Sequence, residues 1–307
     1  MFLGFDTSNY TTSVAFFDGK AVVQKKKLLE VKQGERGLRQ SDAVFQHTVH
    51  MPALAASLAE ECDFGRIDGI AVSTRPRNIE GSYMPCFLVG ESIAAAVSAF
   101  CGAPLYKTSH QVGHILAALY SVGVPELIHS PFVAFHLSGG TTEALLVTPD
   151  KEEIIQAKRI AESLDLKAGQ AVDRTGVMLG LKFPCGAELD KMAQASGREF
   201  KIKPSMKGLD CSLSGVENKA RLMLQQKENH NDIAKFVISY LAEAIDKMTA
   251  GIIKEYGNLP IVFAGGVSGN SMLQNKLGKK YGAYFAKPEY SCDNAAGVAV
   301  YAYLKSL

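Results

Sequence analysis

The chain has 307 residues, of which 47% are hydrophobic, 21% are charged and 28 are glycine. Those proportions describe one large or two ordinary globular domains around a sizeable core and exclude a disordered polymer. A formal net charge of +2 excludes attraction to nucleic acid or membrane by charge alone.

Residues 2–17 read as an apolar strand, a turn rich in Ser, Thr and Asn, and a second apolar strand. Asp6 falls where the apolar stretch of a secretory signal would have to run, so none is expected. Lys25, Lys26 and Lys27 read as a solvated strand end. A helix is predicted from about Val44 to Glu61, with His47 and His50 as surface or lining residues. Ile67–Ser73 reads as a strand, followed by a turn with Arg75, Pro76 and Gly81. The apolar stretch Phe87–Leu105 is broken by Glu91 and by glycines, and reads as a buried helix, not a membrane span.

At a constant offset of 130 residues, the segment 132–147 repeats the opening pattern. Phe2 and Phe132, Phe5 and Phe135, Ser8 and Ser138, Thr11 and Thr141, and Thr12 and Thr142 coincide. Turns of this composition present backbone N–H groups and hydroxyls toward one point, a geometry that holds phosphate oxygens. Further on, Asn231–Tyr256 carries a helical stripe of Phe236, Tyr240, Ile245, Met248 and Ile252, read as core. Leu259–Ala264 reads as a strand, Gly265–Asn270 as a loop, and a helix follows from about Ser271. Strands followed by helices, twice over, predict two α/β lobes with a central cleft. The first lobe is expected to span 1–108, with a final helix at about 295–307 returning to it. The second, 109–294, is expected to carry the metal and nucleotide sites. Cysteines at 62, 86, 101, 185, 211 and 292 form no CxxC pair, which fits free buried thiols in a reducing cytoplasm.

His110 and His114 stand four apart, so on a helix both imidazoles face one way, as two metal ligands must. An exposed helix start is the plainer alternative. The loop Gly265-Gly266-Val267-Ser268-Gly269-Asn270 lies between a strand and a helix, where glycines permit close approach and the helix N-terminus favours an anion. Asp173, and Asp190 after the turn ending at Gly186, are acids that suit either ribose hydroxyls or a helix cap. Asp293 or Asn294 is expected to cap the last helix.

In order, these segments resemble the TsaD (Gcp, glycoprotease-like) family. The resemblance rests on the Gly4–Ser8 turn, Gly81-Ser82, the HxxGH pair and Leu137-Ser138-Gly139-Gly140. It continues through Ala168-Gly169 with Asp173, Pro184-Cys185-Gly186, Ser212–Gly215, the 265–270 loop and Cys292-Asp293-Asn294. The family implies a two-lobed actin-like ATPase fold and transfer of threonylcarbamoyl from its adenylate to adenosine in tRNA. It further implies one divalent metal, iron or zinc, on His110, His114 and Asp293. It implies adenine-nucleotide or adenylate binding by His136, Leu137, Ser138, Gly139, Gly140, Asp173, Gly186, Asp190, Gly265, Gly266 and Asn270. Family partners are a smaller homologous subunit and an ATPase; a homodimer is the other arrangement considered.

The chain departs from the family around the reaction centre. A Cys-Asp-Glu-Thr run is replaced by Asn9-Tyr10-Thr11-Thr12, and the acid inside the histidine motif by Val112. The usual His after Ser-Gly-Gly is Thr141, and Gly-Pro-Gly-Leu becomes Arg75-Pro76-Arg77-Asn78. Loss of a positioned base costs about 10²–10⁴-fold in rate. Two readings are therefore carried forward: a transferase, and a non-catalytic nucleotide- and metal-binding paralogue that serves as scaffold or regulator. A small-molecule kinase of the same fold is a third, with Asp6 as the only carboxylate near the first turn.

Overall fold

The computed structural model describes residues 1–8, 10–31, 38–62 and 65–307. Asn9, the first position of the substituted acidic run, lies outside them. The chain groups into two compact units: residues 1–129, 148–157 and 292–307, and residues 130–147 and 158–291.

The first unit opens with strands β1 (Phe2–Asp6), β2 (Thr11–Phe17) and β3 (Val22–Leu28), then helix α1 (Gln40–Glu61). Strand β4 (Gly69–Arg75), helix α2 (Phe87–Cys101), strand β5 (Leu105–Ser109) and helix α3 (His110–Val122) follow. The predicted helix through Leu105 stops at Cys101, because Gly102 adopts φ +69° and caps it in the left-handed conformation. The sheet order is β3-β2-β1-β4-β5, with β1–β2 and β2–β3 antiparallel and β1–β4 and β4–β5 parallel.

The second unit takes in β6 (Phe132–Leu137), and most of β7 (Thr142–Asp150) and β8 (Ile154–Glu162). Helices α4 (Ala168–Met178) and α5 (Gly186–Ala195) precede the short pair β9 (Ser205–Lys207) and β10 (Asp210–Ser212). Then come α6 (Ser214–Gln225), α7 (His230–Tyr256), β11 (Ile261–Ala264), α8 (Ser271–Tyr281), β12 (Tyr284–Phe285) and α9 (Pro288–Ser291). The closing helix α10 (Ala296–Ser306) belongs to the first unit. Sheet order here is β12-β11-β6-β7-β8, the same antiparallel hairpin flanked by two parallel strands. The repeat extends to register: Phe2 faces Phe17 across the first hairpin, and Phe132 faces Val147 across the second. Asp6 faces Ser13, and the matching pair is His136 and Glu143.

Each unit has its own core. In the first, Leu3, Phe5, Val14 and Phe16 pack with Met51, Leu58, Ile70 and Val72. In the second, Phe135 stacks on Phe263 at 4.6 Å between ring centroids, and α7 contributes Ile233, Val237, Leu241, Ile245, Met248 and Ile252. Each such side chain stabilises the fold by about 1.5–3 kcal/mol when fully buried. Among the described residues, no helix is long and apolar enough to cross a membrane.

Three expectations need correction. The boundary expected at 108/109 placed α3 and Asp293 in the second unit, but both group with the first. The reason is backbone packing: a Cβ on Gly297 of α10 would meet the Gly113 carbonyl oxygen of α3 at 1.9 Å. His47 and His50 are buried, not at the surface, because Thr12 draws both inward: its Oγ1 lies 2.8 Å from His47 Nδ1 and 3.4 Å from His50 Nδ1. All six cysteines are free, but Cys101 and Cys292 are exposed.

Candidate metal centre and nucleotide loops

The candidate metal centre begins at a helix cap. Ser109 ends β5 in an extended conformation, and its side chain accepts a hydrogen bond from Val112 N–H at the start of α3. That places His110 at the first helical position and His114 one turn later, so the two rings meet edge to face on one side of the helix, with centroids 4.2 Å apart and planes at 73°. The third member arrives from 179 residues further on. Asn294, not Asp293, provides the helix-start turn: its Oδ1 accepts from Ala296 N–H at 3.0 Å and its amide donates to the Cys292 carbonyl at 2.6 Å. Asp293 is thereby left to face the histidines. Glycines permit the approach. Besides Gly297 against Gly113, a Cβ on Gly4 of β1 would meet Ala299 N at 2.4 Å, so α10 lies backbone to backbone against both β1 and α3.

Asp293 Oδ1 stands 3.1 Å from His114 Nε2 and 3.4 Å from His110 Nε2. The three ligand atoms all lie within 4.8 Å of one another. A tetrahedral ion with bonds of about 2.0–2.1 Å separates its ligand atoms by roughly 3.3 Å. Two imidazoles and one carboxylate so spaced fit such an ion and leave one position open. The acceptors and donors also tune one another. Burial disfavours the charged His110 ring, but the Asp6 charge and hydrogen bonds with Asp293 and Asp6 win and raise its pKa to about 10. Burial likewise pushes Asp293 up, yet His110 and His114 hold it well below the usual carboxylate range.

Other side chains stand around this triad. Asp6, at the end of β1 and fully buried, lies 2.9 Å by Oδ2 from His110 Nδ1. Thr11 Oγ1 lies 3.4 Å from Asp293 Oδ2. Thr11 thus turns a hydroxyl to Asp293 where the family carries an acid, and Thr12 turns its hydroxyl to His47. Arg75, at the end of β4, is half-buried and ion-paired to Glu153 at 2.9 Å, with its Nε donating to Asn78 at 3.0 Å.

In the second unit, parallel β6 and β11 end side by side, with Ala264 opposite His136. Their carboxyl ends are where ligands bind in open α/β sheets. The Ser138–Thr141 turn is closed by Ser138 N–H to the Thr141 carbonyl at 2.7 Å, leaving Gly139 and Gly140 exposed. Gly169, in the first turn of α4, presses on it: a Cβ there would be 2.5 Å from Gly139 N. Gly265 has φ +94°, and a Cβ would be 2.3 Å from the Leu137 carbonyl oxygen, so the second loop needs glycine there. The structure therefore brings residues 136–140 together with 265–270. Leu137 itself is wholly buried, so only its backbone is offered to a ligand.

The two acids are engaged structurally. Asp190 accepts from Asn270 Nδ2 at 2.9 Å and from Ser271 N–H and Oγ–H, each at 3.1 Å. Asn270 Oδ1 in turn caps α8 through Met272 and Leu273 N–H, both at 3.1 Å. Asp173 accepts from Cys185 N–H at 2.9 Å and so fixes the turn that leads to exposed Gly186.

A profile of the TsaD family, tRNA N6-adenosine threonylcarbamoyltransferase, matches residues 23–300. Among solved structures, HypF from T. kodakarensis superposes with a TM-score of 0.62 at 12% identity, over 99% of this chain and 46% of its own. This chain thus spans about half of HypF. Component A of (R)-2-hydroxyglutaryl-CoA dehydratase from Acidaminococcus fermentans gives 0.57 at 16% identity, over 99% and 98% of the two chains. The activator of 2-hydroxyisocaproyl-CoA dehydratase from Clostridium difficile, solved with bound ADPNP, gives 0.54 at 14% identity, over 100% and 96%. These similarities establish the α/β, two-lobed actin-like ATPase fold.

Proposed function

The chain belongs to the TsaD family of tRNA N6-adenosine threonylcarbamoyltransferases, and on that footing we propose that it is a metal-dependent transferase. It moves a threonylcarbamoyl group from its adenylate to the N6 amine of an adenosine in tRNA. The observation that carries this reading is the convergence of His110, His114 and Asp293, with His114 Nε2 at 3.1 Å and His110 Nε2 at 3.4 Å from one carboxylate oxygen. Family membership supplies the reaction; the triad supplies the reason to expect it here despite the missing acids.

In the proposed reaction the amine nitrogen bonds to the carbamoyl carbon as the bond from that carbon to the adenylate oxygen breaks. AMP leaves with the electron pair, and the amine gives up one proton to water. A divalent iron or zinc ion on the triad would supply Lewis acidity at the carbamoyl group. The chain's own part is to bind and orient. The exposed turn at Gly139 and Gly140, and the Gly266–Asn270 loop at the start of α8, suit an adenylate phosphate. Asp190 and Asn270 keep that helix start in place. Positioning and preorganised charge account for most of the acceleration when no general base is at hand.

A second reading, a binding-only scaffold or regulator, is favoured by one observation. Thr11 faces Asp293 and Thr12 faces His47, so the stretch that holds acids in the family has none to offer. The kinase reading loses support because Asp6 is fully buried and taken up by His110, Ser8 and Ser73. A smaller homologous subunit with an ATPase, or a second copy of the chain, completes the proposed cytoplasmic assembly. The test is metal-dependent transfer of labelled threonine from the adenylate to unmodified tRNA, with Asp293→Ala as control.

A further inference from the structure

We propose that Asp6 is a positioning residue for the metal centre: it holds His110 in the tautomer and ring orientation that turn Nε2 toward the metal. The inference rests on the triad being a metal site. It starts from a buried charge. Asp6 sits at the last position of β1 with no exposure, and a carboxylate there must be hydrogen-bonded. Its Oδ1 accepts from Ser73 Oγ of β4. Its Oδ2 accepts from Ser8 Oγ at 2.8 Å and faces His110 Nδ1 at 2.9 Å. An ionised carboxylate accepts and never donates, so Nδ1 carries the hydrogen. With an ion bound the ring is neutral, and the lone pair is then on Nε2. That is the nitrogen 3.4 Å from Asp293 Oδ1, and His114 presents the same type of atom at 3.1 Å.

Ser73 on the parallel strand β4 and Ser8 in the turn after β1 therefore aim one carboxylate, and that carboxylate aims one imidazole. The hydrogen bond also makes the ring a stronger donor toward a cation. Charge agrees with this role. Two neutral imidazoles, Asp293 and Asp6 bring two negative charges, which neutralise one divalent ion in a setting where net charge is costly. Asp6 lies 104 residues from His110 in sequence, and its oxygens are taken up by the two serines and the ring, so it supports a ligand without being one.

The experiment uses the full chain, with Zn²⁺ and Co²⁺ as probes. Metal affinity is measured by competition with a chromophoric chelator for wild type, Asp6→Ala and Asp6→Asn, alongside the Co²⁺ absorption spectrum and thermal unfolding. Loss of a supporting carboxylate is expected to weaken binding by about 10–100-fold in both variants and to alter the Co²⁺ spectrum. Asp6→Asn is included because its amide can donate to Nδ1 and favour the wrong tautomer. A purely structural Asp6 would lower the unfolding temperature and leave the affinity of the folded protein within about twofold, which overturns the proposal. Independently of any variant, wild type labelled with ¹⁵N-histidine and loaded with Zn²⁺ is expected to show His110 metallated at Nε2 and protonated at Nδ1. Metallation at Nδ1 overturns the proposal even if the Asp6 variants fail to fold. Absence of Zn²⁺ and Co²⁺ binding by wild type overturns the metal centre itself, an outcome distinct from unchanged affinity in the variants.

Discussion

Gly297 of α10 and Gly113 of α3 are in backbone contact: a Cβ on Gly297 would stand 1.9 Å from the Gly113 carbonyl oxygen and 2.5 Å from Ala117 N. The crossing that brings Asp293 to the histidines exists because neither residue has a side chain there. Gly297→Ala is expected to destabilise the protein by about 3 kcal/mol or more, the upper end of overpacking costs, and to weaken metal binding together with stability. Gly266→Ala, which meets nothing within 4 Å, is the control expected to leave stability unchanged in urea unfolding.

Buried His47 makes stability depend on pH. Burial, partly offset by the Asp6 charge, pushes its pKa down to about 4 from an ordinary value of 6.5. The folded state thus prefers the neutral ring, so this contribution is complete above pH 6.5 and is lost as pH falls toward 4. Between pH 7 and pH 5 the loss from this group is about 2 kcal/mol. Burial shifts His50 in the same direction. Urea unfolding at the two pH values is expected to show this fall, and His47→Gln to flatten it. An unchanged slope in the variant would remove His47 as the cause.

Asp190 is expected to matter for folding before ligand binding. Removing it orphans Ser271 N–H and frees Asn270, so Asp190→Ala should cost about 1–2 kcal/mol of stability. Nucleotide affinity should fall with it, because the loop at the start of α8 loses its anchor. Full stability with weakened nucleotide binding would instead make Asp190 a direct ligand contact.

Metal should act as a stabilising ligand. At a free Zn²⁺ concentration 100 times its Kd, unfolding free energy is expected to rise by about 2.7 kcal/mol. His114→Ala should abolish that increment, and chelator should reverse it in wild type. Equal stabilisation of wild type and variant would place the ion elsewhere.

How much could be read in advance follows from which signals are local. The 130-residue offset is legible because both hairpins place matching residues on either side of a turn, and it extends to the register of Phe2 with Phe17 and Phe132 with Val147. The spacing of His110 and His114 was legible for the same reason: one helical turn separates them. What was not legible depends on contacts between distant segments. Nothing near residue 297 tells that α10 presses on α3, so α3 was assigned to the wrong unit. Nothing around His47 announces that Thr12 would draw it inward. Asp6 was visible only as a carboxylate ending an apolar strand, and its partner is 104 residues away. Asp293 and Asn294 were interchangeable as caps until the turn through Ala296 distinguished them.

The most direct test of the account is transfer of labelled threonine from threonylcarbamoyl-adenylate to unmodified tRNA, with added divalent metal and the candidate partner subunits, beside a conventional family member. Metal-dependent labelling of tRNA that disappears with Asp293→Ala is the expected result, and would make the acids absent around Thr11 and Thr12 dispensable. No labelling with a working control, while the protein still binds metal and nucleotide, would contradict the transferase reading and leave the binding-only paralogue in its place.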